Sequence, residues 1–314
     1  MRQPETVNPD KVSNRLNGLA GAAILIANKV RHAVRGYRTP RPFDASQIVR
    51  AVEYDFNVVD GWLDCLKEYS PADAELSSKR VLELGPGADL GVGLILLAGG
   101  AAKYTAFDVH NLVASADGEF YDKLFAELTG RADIDALRRQ VALTLDGTAD
   151  KLCYRCSGDF DLSILADDSV DLIVSQAAFE HFDDLPRTIE QMSKLAARGA
   201  ILVCEIDLAT HTRWIRDRDP LNIYRYSDVF YNLTKFHGSP NRVRPAEYRR
   251  MLSDAGWGDI QQFPLVVLDE DYLTRVRPSL ASRFRIDASE MECLSIVLCA
   301  RKTAVEPCRV GLNV

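Results

Sequence analysis

The sequence predicts an α/β fold in which a largely parallel sheet is covered by helices on both faces. From Arg80 onward, short apolar runs alternate with helical stretches, the pattern of parallel strands joined by crossover helices. The runs are apolar along their length, as expected of strands buried on both faces. Composition is that of an ordinary globular protein: 47% hydrophobic, 26% charged and 8% aromatic over 314 residues. This excludes disordered, collagen-like and disulfide-stapled classes. The length suits one large core with modest additions, since chains begin to divide above ~250 residues.

The elements follow in order. Leu16, Leu19, Ala20, Ala23, Ala27, Val30 and Val34 recur on one side of a helix that Gly36 can end. Arg38-Thr-Pro-Arg-Pro42 closes this arm (1–44), because a residue before proline disfavours helix. Residues 45–69 read as a helix carrying Ile48, Val49, Val52, Phe56, Val59, Trp62, Leu63 and Leu66 at three- and four-residue spacing. Strands are expected at 81–84, 104–107, 152–154, 170–175 and 200–205, with helices near 90–99, 119–139 and 184–197. A helix at 246–255 and strands at 263–268 and 294–300 complete a domain running 45–314. The connection 207–245 is too long for a simple loop and is expected to be a lid or substrate-binding insertion.

Net charge is −7, but residues 1–50 carry nine basic and three acidic side chains, leaving 29 − 42 = −13 elsewhere. An acidic body argues against nucleic acid as a partner, because phosphate attraction needs a basic face. The basic arm fits a helix packed on the domain or on a second copy in a homodimer. It also fits an interfacial helix in weak contact with an anionic leaflet. Its apolar run, Leu19 to Ala27, is far shorter than the ~20 residues of a membrane span. The basic residues follow that run rather than precede it, unlike a secretory signal. A cytoplasmic protein, peripheral to the inner face of the membrane at most, is expected. Seven cysteines, an odd number, fit buried or half-buried reduced thiols. Cys153-x-x-Cys156 has no second ligand pair, so no zinc site is expected there.

The strongest local feature is Val81-Leu-Glu-Leu-Gly85-Pro-Gly87-Ala-Asp-Leu-Gly91, a strand entering a glycine turn and then a helix. Gly85 permits the turn, and Gly87 lets backbone approach a ligand. A dinucleotide fingerprint would place its third glycine at 90, where Leu stands. Glu83, at the strand end, suits an ammonium better than a pyrophosphate. Asp108, at the next strand end, is placed to accept ribose hydroxyls, which both cofactor classes share.

With Ala106-Phe-Asp108-Val109, Ser157-Gly-Asp159-Phe160, Ala166-Asp-Asp-Ser-Val-Asp171-Leu-Ile-Val-Ser175 and Gln176-Ala-Ala-Phe-Glu180-His181, the chain resembles the class I S-adenosylmethionine (SAM)-dependent methyltransferases over roughly 80–205. The resemblance implies a Rossmann-like, seven-stranded, mostly parallel sheet with SAM above the strand ends and S-adenosylhomocysteine as product. By the same resemblance Glu83, Gly85, Pro86 and Gly87 hold the methionine part, and Asp108 with Val109 the ribose. Asp159 and the Phe160 amide read the adenine, while Gln176 and Ala177 line the pocket behind the methyl.

Methyl transfer from a sulfonium needs chiefly alignment, and a hydroxyl acceptor gains from a base. Of five histidines, His181 follows the fourth strand on the edge facing the methyl, and His211 follows the fifth. Both are candidate bases. Val203-Cys-Glu-Ile-Asp207-Leu-Ala-Thr-His211 and Asn241-Arg-Val-Arg244 resemble a bacterial methyltransferase subgroup linked to glycan biosynthesis, except that Thr210 replaces an acid. Asp207 and His211, four apart, could share a sugar hydroxyl or a divalent ion. Arg242 and Arg244 alternate in an extended reading, so that one would face an acceptor carboxylate or phosphate. Tyr226 is a candidate for stacking on the acceptor, whereas most of the insertion's aromatics read as a lid core. The reading is an O-methyltransferase for a small or lipid-linked acceptor, a glycan hydroxyl first. Alternatives are a natural-product phenol, amine or acid as acceptor, a non-catalytic SAM-binding regulator, and an NAD-dependent oxidoreductase.

Overall fold

The computed structural model describes residues 3–9, 14–36, 47–116, 118–165, 169–286 and 289–303. The Arg38–Pro42 closure, residues 45 and 46 of the second helix, residues 166–168 of the fourth motif and Cys308 lie outside them.

Eight strands form one sheet: β1 (Glu5–Val7), β2 (Arg80–Leu84), β3 (Lys103–Asp108), β4 (Leu152–Cys156), β5 (Val170–Gln176), β6 (Ala196–Asp207), β7 (Trp257–Leu268) and β8 (Cys293–Lys302). Their order is β1-β7-β8-β6-β5-β2-β3-β4, and β8 alone runs antiparallel to its neighbours. All seven expected strands are present, and the eighth comes from the arm. Residues 5 to 7 pair in parallel with Val266 to Leu268, and Val7 carbonyl accepts from Asp269 N at 2.9 Å. Three residues are too few to show periodicity, so this edge strand left no pattern in the sequence.

The helices are α1 (Asn14–Arg35), α2 (Ile48–Tyr69), α3 (Gly91–Ala98), α4 (Gly118–Leu128), α5 (Ile134–Leu145), α6 (Leu185–Leu195), α7 (Arg213–Arg216), α8 (Asp228–Thr234), α9 (Pro245–Asp254) and α10 (Glu270–Val276). The single helix expected over 119–139 is two. Asp133 caps the second, its carboxylate accepting from Ala136 N at 3.0 Å. In α2 the buried stripe runs Ala51, Val52, Asp55, Val58, Val59, Trp62, Leu66, so Val49, 53% exposed, falls off it. One apolar layer packs α2, α3 and α4 on the sheet, and another packs α6 and α9 on the opposite face. A third cluster joins Tyr224 and Tyr231 of the insertion to Tyr272, Leu280 and Phe284, so these insertion tyrosines are core. Cys156 is exposed, unlike the other described cysteines.

The arm helix docks on the insertion, but through a different face from the one its apolar stripe suggests. Asn17 and Gly21 are buried. Asn222 Nδ2 donates to Asn17 carbonyl at 2.9 Å and Tyr226 hydroxyl to Gly18 carbonyl at 2.8 Å. Arg225 reaches Asn14 Oδ1 at 3.1 Å. Leu16, Leu19, Val30 and Val34 are 58–79% exposed. Buried polar groups need partners more strictly than apolar ones need cover, and the small polar face supplies them. Among the described residues no helix is long and apolar enough to cross a membrane.

Candidate functional site

The chain passes from β2 to β3 and β4 on one side, then returns to β5 and β6 on the other. That reversal opens a crevice beyond the strand ends, where ligands bind in open α/β sheets. A cavity of about 610 Å³ lies there. Glu83, Gly85, Pro86, Gly87, Asp108, Val109, Asp159, Phe160, Gln176 and Ala177 all line it.

Gly85 (φ 75°) and Gly87 (φ 79°) both adopt left-handed backbone. A Cβ at Gly85 would come within 2.5 Å of Ala178 Cβ, so the turn requires glycine. Asp108 Oδ1 accepts from His110 N at 3.0 Å, which fixes the carboxylate at the rim. Burial raises its pKa, and the surrounding backbone amides oppose that rise. Asp159 is an exposed rim carboxylate held by Ser157. The Phe160 amide departs from expectation. It donates to Ser157 carbonyl at 2.8 Å inside its own turn, so it is not free for an adenine.

The methionine end holds more acid than the sequence suggested. Asp55 of α2 and Asp89 of the loop line the cavity beside Glu83, and Asp55 and Glu83 are 4% and 2% exposed. Burial and mutual repulsion push the carboxyl pKa of Asp55 upward, as burial does for Asp89. Burial pushes Glu83 up to about 8, against a hydrogen bond from Tyr104 that lowers it. The signal for Asp55 was available: it interrupts the buried stripe of α2 between Val52 and Val59.

Glu180, His181 and His211 converge, one ligand-capable atom from each lying within 4.8 Å of the others; of the three, His181 lines the cavity and Glu180 and His211 stand behind it. His181 Nδ1 donates to Gly238 carbonyl at 2.7 Å and His211 Nδ1 to Ala209 carbonyl at 2.9 Å. A carbonyl only accepts, so each neutral ring carries its proton on Nδ1 and a lone pair on Nε2. Burial lowers the pKa of His181. Burial also disfavours charge on His211, but Glu180 and Asp207 outweigh it and raise its pKa. Asn241 donates to the carbonyls of Glu180 and Phe179 at 2.7 and 2.8 Å, pinning the insertion beside this cluster.

The remaining substrate candidates lie elsewhere. Arg242, at φ 61°, breaks the extended alternation, and both arginines turn inward, 3% and 1% exposed. Arg242 donates to the carbonyls of Ile223 and Tyr226 at 3.1 and 2.8 Å and stacks over Tyr231 at 4.0 Å. Arg244 donates to the carbonyls of Ser289, Glu290 and Cys293 at 2.6–3.0 Å. Both are struts of the insertion rather than oxyanion receptors. Tyr226 is taken by the arm. Asp207 pairs with Arg216 at 2.7 Å and accepts from Ala209 N at 3.0 Å, leaving its oxygen 3.9 Å from His211 Nε2. None of the four lines the cavity.

The family model for the methyltransferase domain matches residues 56–262. The chain belongs to that family. As a class I SAM-dependent methyltransferase it is similar in structure to a SAM-dependent methyltransferase of Mesorhizobium loti, at 15% identity and a TM-score of 0.40, over 77% of this chain and 99% of that one. It is also similar to one of Archaeoglobus fulgidus, at 15% identity and a TM-score of 0.40, over 78% and 94% of the chains. No curated protein matches the chain. The methyltransferase's residues fit SAM. The buried acids, held protonated by burial in the empty site, can lose protons to give counter-charge to its sulfonium and ammonium, and they offer a pyrophosphate no positive partner. When bound, SAM supplies a methyl already activated on sulfur.

Proposed function

We propose that the chain transfers a methyl group to a hydroxyl of a small or lipid-linked acceptor, a glycan first. The observation that carries this reading is the lone pair of His181 Nε2 at the cavity, freed because Nδ1 is committed to Gly238. A neutral imidazole with lowered pKa marks this end as the place where an acceptor oxygen can shed its proton. Glu83, Gly85, Gly87 and Asp108 hold the cofactor in this reading, and His181 with His211 and Glu180 receives the acceptor. Incubation with methyl-labelled SAM and a panel of glycans, phenols, amines and acids, read by mass spectrometry, tests it. Label on a sugar hydroxyl supports the reading; label only on nitrogen or carboxylate overturns it.

A lipid-linked acceptor is favoured by the outward face of α1. Leu16, Leu19, Ile26, Val30 and Val34 are exposed there, and the first 50 residues carry a net +6 by sequence. An apolar stripe with basic flanks fits an anionic lipid surface. His32 stacks on Phe236 at 4.5 Å, next to His237 and Gly238 of the cavity wall. The lipid-facing helix would thus lie beside the acceptor end.

A further inference from the structure

We propose that Glu180, His181 and His211 bind one divalent first-row transition ion where His181 meets the cavity. With both rings neutral, the cluster is a set of acceptors with no donor among them. Both Nε2 atoms carry lone pairs, because both Nδ1–H groups are committed to backbone carbonyls. The Glu180 side chain is 3% exposed, and neither of its oxygens has a hydrogen-bond partner. A buried carboxylate without a hydrogen bond is costly, and the His211 ring, with Nε2 at 3.6 Å, offers it a counter-charge only when protonated. Ligand atoms on a tetrahedral ion with bonds of about 2.0–2.1 Å sit roughly 3.4 Å apart. A cation between these groups would satisfy all of them at once.

The supports behind the ligands have the form metal sites use. A ligating histidine ordinarily gives its other N–H to a carbonyl or carboxylate, which fixes tautomer and aim. Gly238 and Ala209 do this from two different segments. The rings meet edge to face with centroids 4.7 Å apart, and one ligand-capable atom of each lies within 4.8 Å of the other and of a Glu180 oxygen. Two imidazoles and one carboxylate select manganese, iron, cobalt, nickel or zinc over magnesium and calcium, which prefer oxygen alone. Three protein ligands leave positions open on the side of His181 that faces the cavity. An acceptor oxygen, or two on adjacent carbons of a sugar, would complete the shell. Asp207, committed to Arg216 and Ala209, stands outside the set. With an ion bound, the His181 Nε2 lone pair would be a ligand rather than a base, and the ion would acidify the acceptor hydroxyl in its place.

The acceptor's part in this proposal rests on the functional reading above; the ion itself does not. The test is titration of the full chain, stripped with a chelator, with Co²⁺, followed by visible absorption and calorimetry, and repeated with Mn²⁺ and Zn²⁺. One equivalent per chain is expected, with a Co²⁺ spectrum of nitrogen and oxygen ligation. Glu180→Gln and His211→Gln should each weaken binding at least tenfold, since loss of even supporting groups behind metal ligands costs about 10–100-fold. SAM titration of the same preparations checks that the variants are folded. The proposal is overturned if none of the three ions binds stoichiometrically, or if both variants bind as the parent does. It is also overturned if nuclear magnetic resonance shows a His211 imidazolium at neutral pH in the presence of the ions. Failure to methylate any hydroxyl would sink the functional reading while leaving this titration unchanged.

Discussion

Gly21 of the arm lies so close to Asn222 of the insertion that a Cβ there would stand 1.9 Å from Asn222 Oδ1 and 2.3 Å from the Tyr226 hydroxyl. Gly18, one turn earlier, has open space at the same position. Gly21→Ala should therefore cost about 1–3 kcal/mol through overpacking, or detach the arm, seen as faster proteolysis at residues 14–36. Gly18→Ala should be neutral or stabilise by up to about 1 kcal/mol through helix propensity. Equal stability of the two variants in urea would show that the arm does not dock this way.

Asp219 is the buried hub of the same region. It accepts from both faces of Arg225 at 2.7 and 2.9 Å, from Asn222 at 2.9 Å and from Tyr272 at 2.6 Å, with side-chain exposures of 0% and 3% for the ion pair. Asp219→Ala strands a buried guanidinium and should destabilise by about 3–5 kcal/mol. Denaturant midpoints check this. A loss below about 1 kcal/mol would mean the pair is hydrated.

Glu83 couples cofactor binding to pH. Its folded pKa, about 8, lies above the ordinary 4.5, so the protonated carboxyl stabilises the empty fold. That contribution is complete below about 4.5 and is lost as pH rises through about 8. A cationic ligand favours the carboxylate, so binding below that window's upper edge must release protons, and affinity must rise with pH up to about 8. Calorimetry at neutral pH in buffers of different ionisation heat should show the release, and Glu83→Gln should reduce it, Asp55 and Asp89 supplying the remainder. Affinity independent of pH across this range would remove Glu83 from the cofactor's surroundings.

The outward stripe of α1 predicts sedimentation with vesicles rich in anionic lipid at low salt, and less with neutral ones. Leu19→Glu and Val30→Glu should return the protein to the supernatant. If the parent chain stays unbound and instead forms a dimer that Leu19→Glu dissociates, the stripe belongs to a second copy.

Much of the fold was legible because parallel interior strands announce themselves as unbroken apolar runs: 81–84 and 170–175 lie in β2 and β5. The glycine loop and strand-end acids were legible for a similar reason, since a local turn and the strand it follows fix their place. Side chains committed by long-range partners were not. Arg242 and Arg244 look like oxyanion receptors in sequence, yet their partners are carbonyls, the Asp228 carboxylate and the Tyr224 hydroxyl, which only the folded insertion brings near. The stripe of α1 does not mark the face that docks on the insertion, because hydrogen bonds at Asn17 and Gly18, invisible to periodicity, decide it. Asp55 and Glu180 carried weaker signals, one an acid in a buried stripe and the other an acid beside a candidate base.

The central claim is that the crevice above β2, β3 and β5 is a SAM site. Calorimetric titration of the parent chain and Asp108→Ala with SAM, S-adenosylhomocysteine and NAD tests it most directly. One SAM per chain should bind, NAD should not, and Asp108→Ala should weaken SAM tenfold or more, since hydrogen bonds to a charged group contribute about 1.5–3 kcal/mol each. Binding of NAD in place of SAM, or an affinity for SAM untouched by Asp108→Ala, would contradict the account.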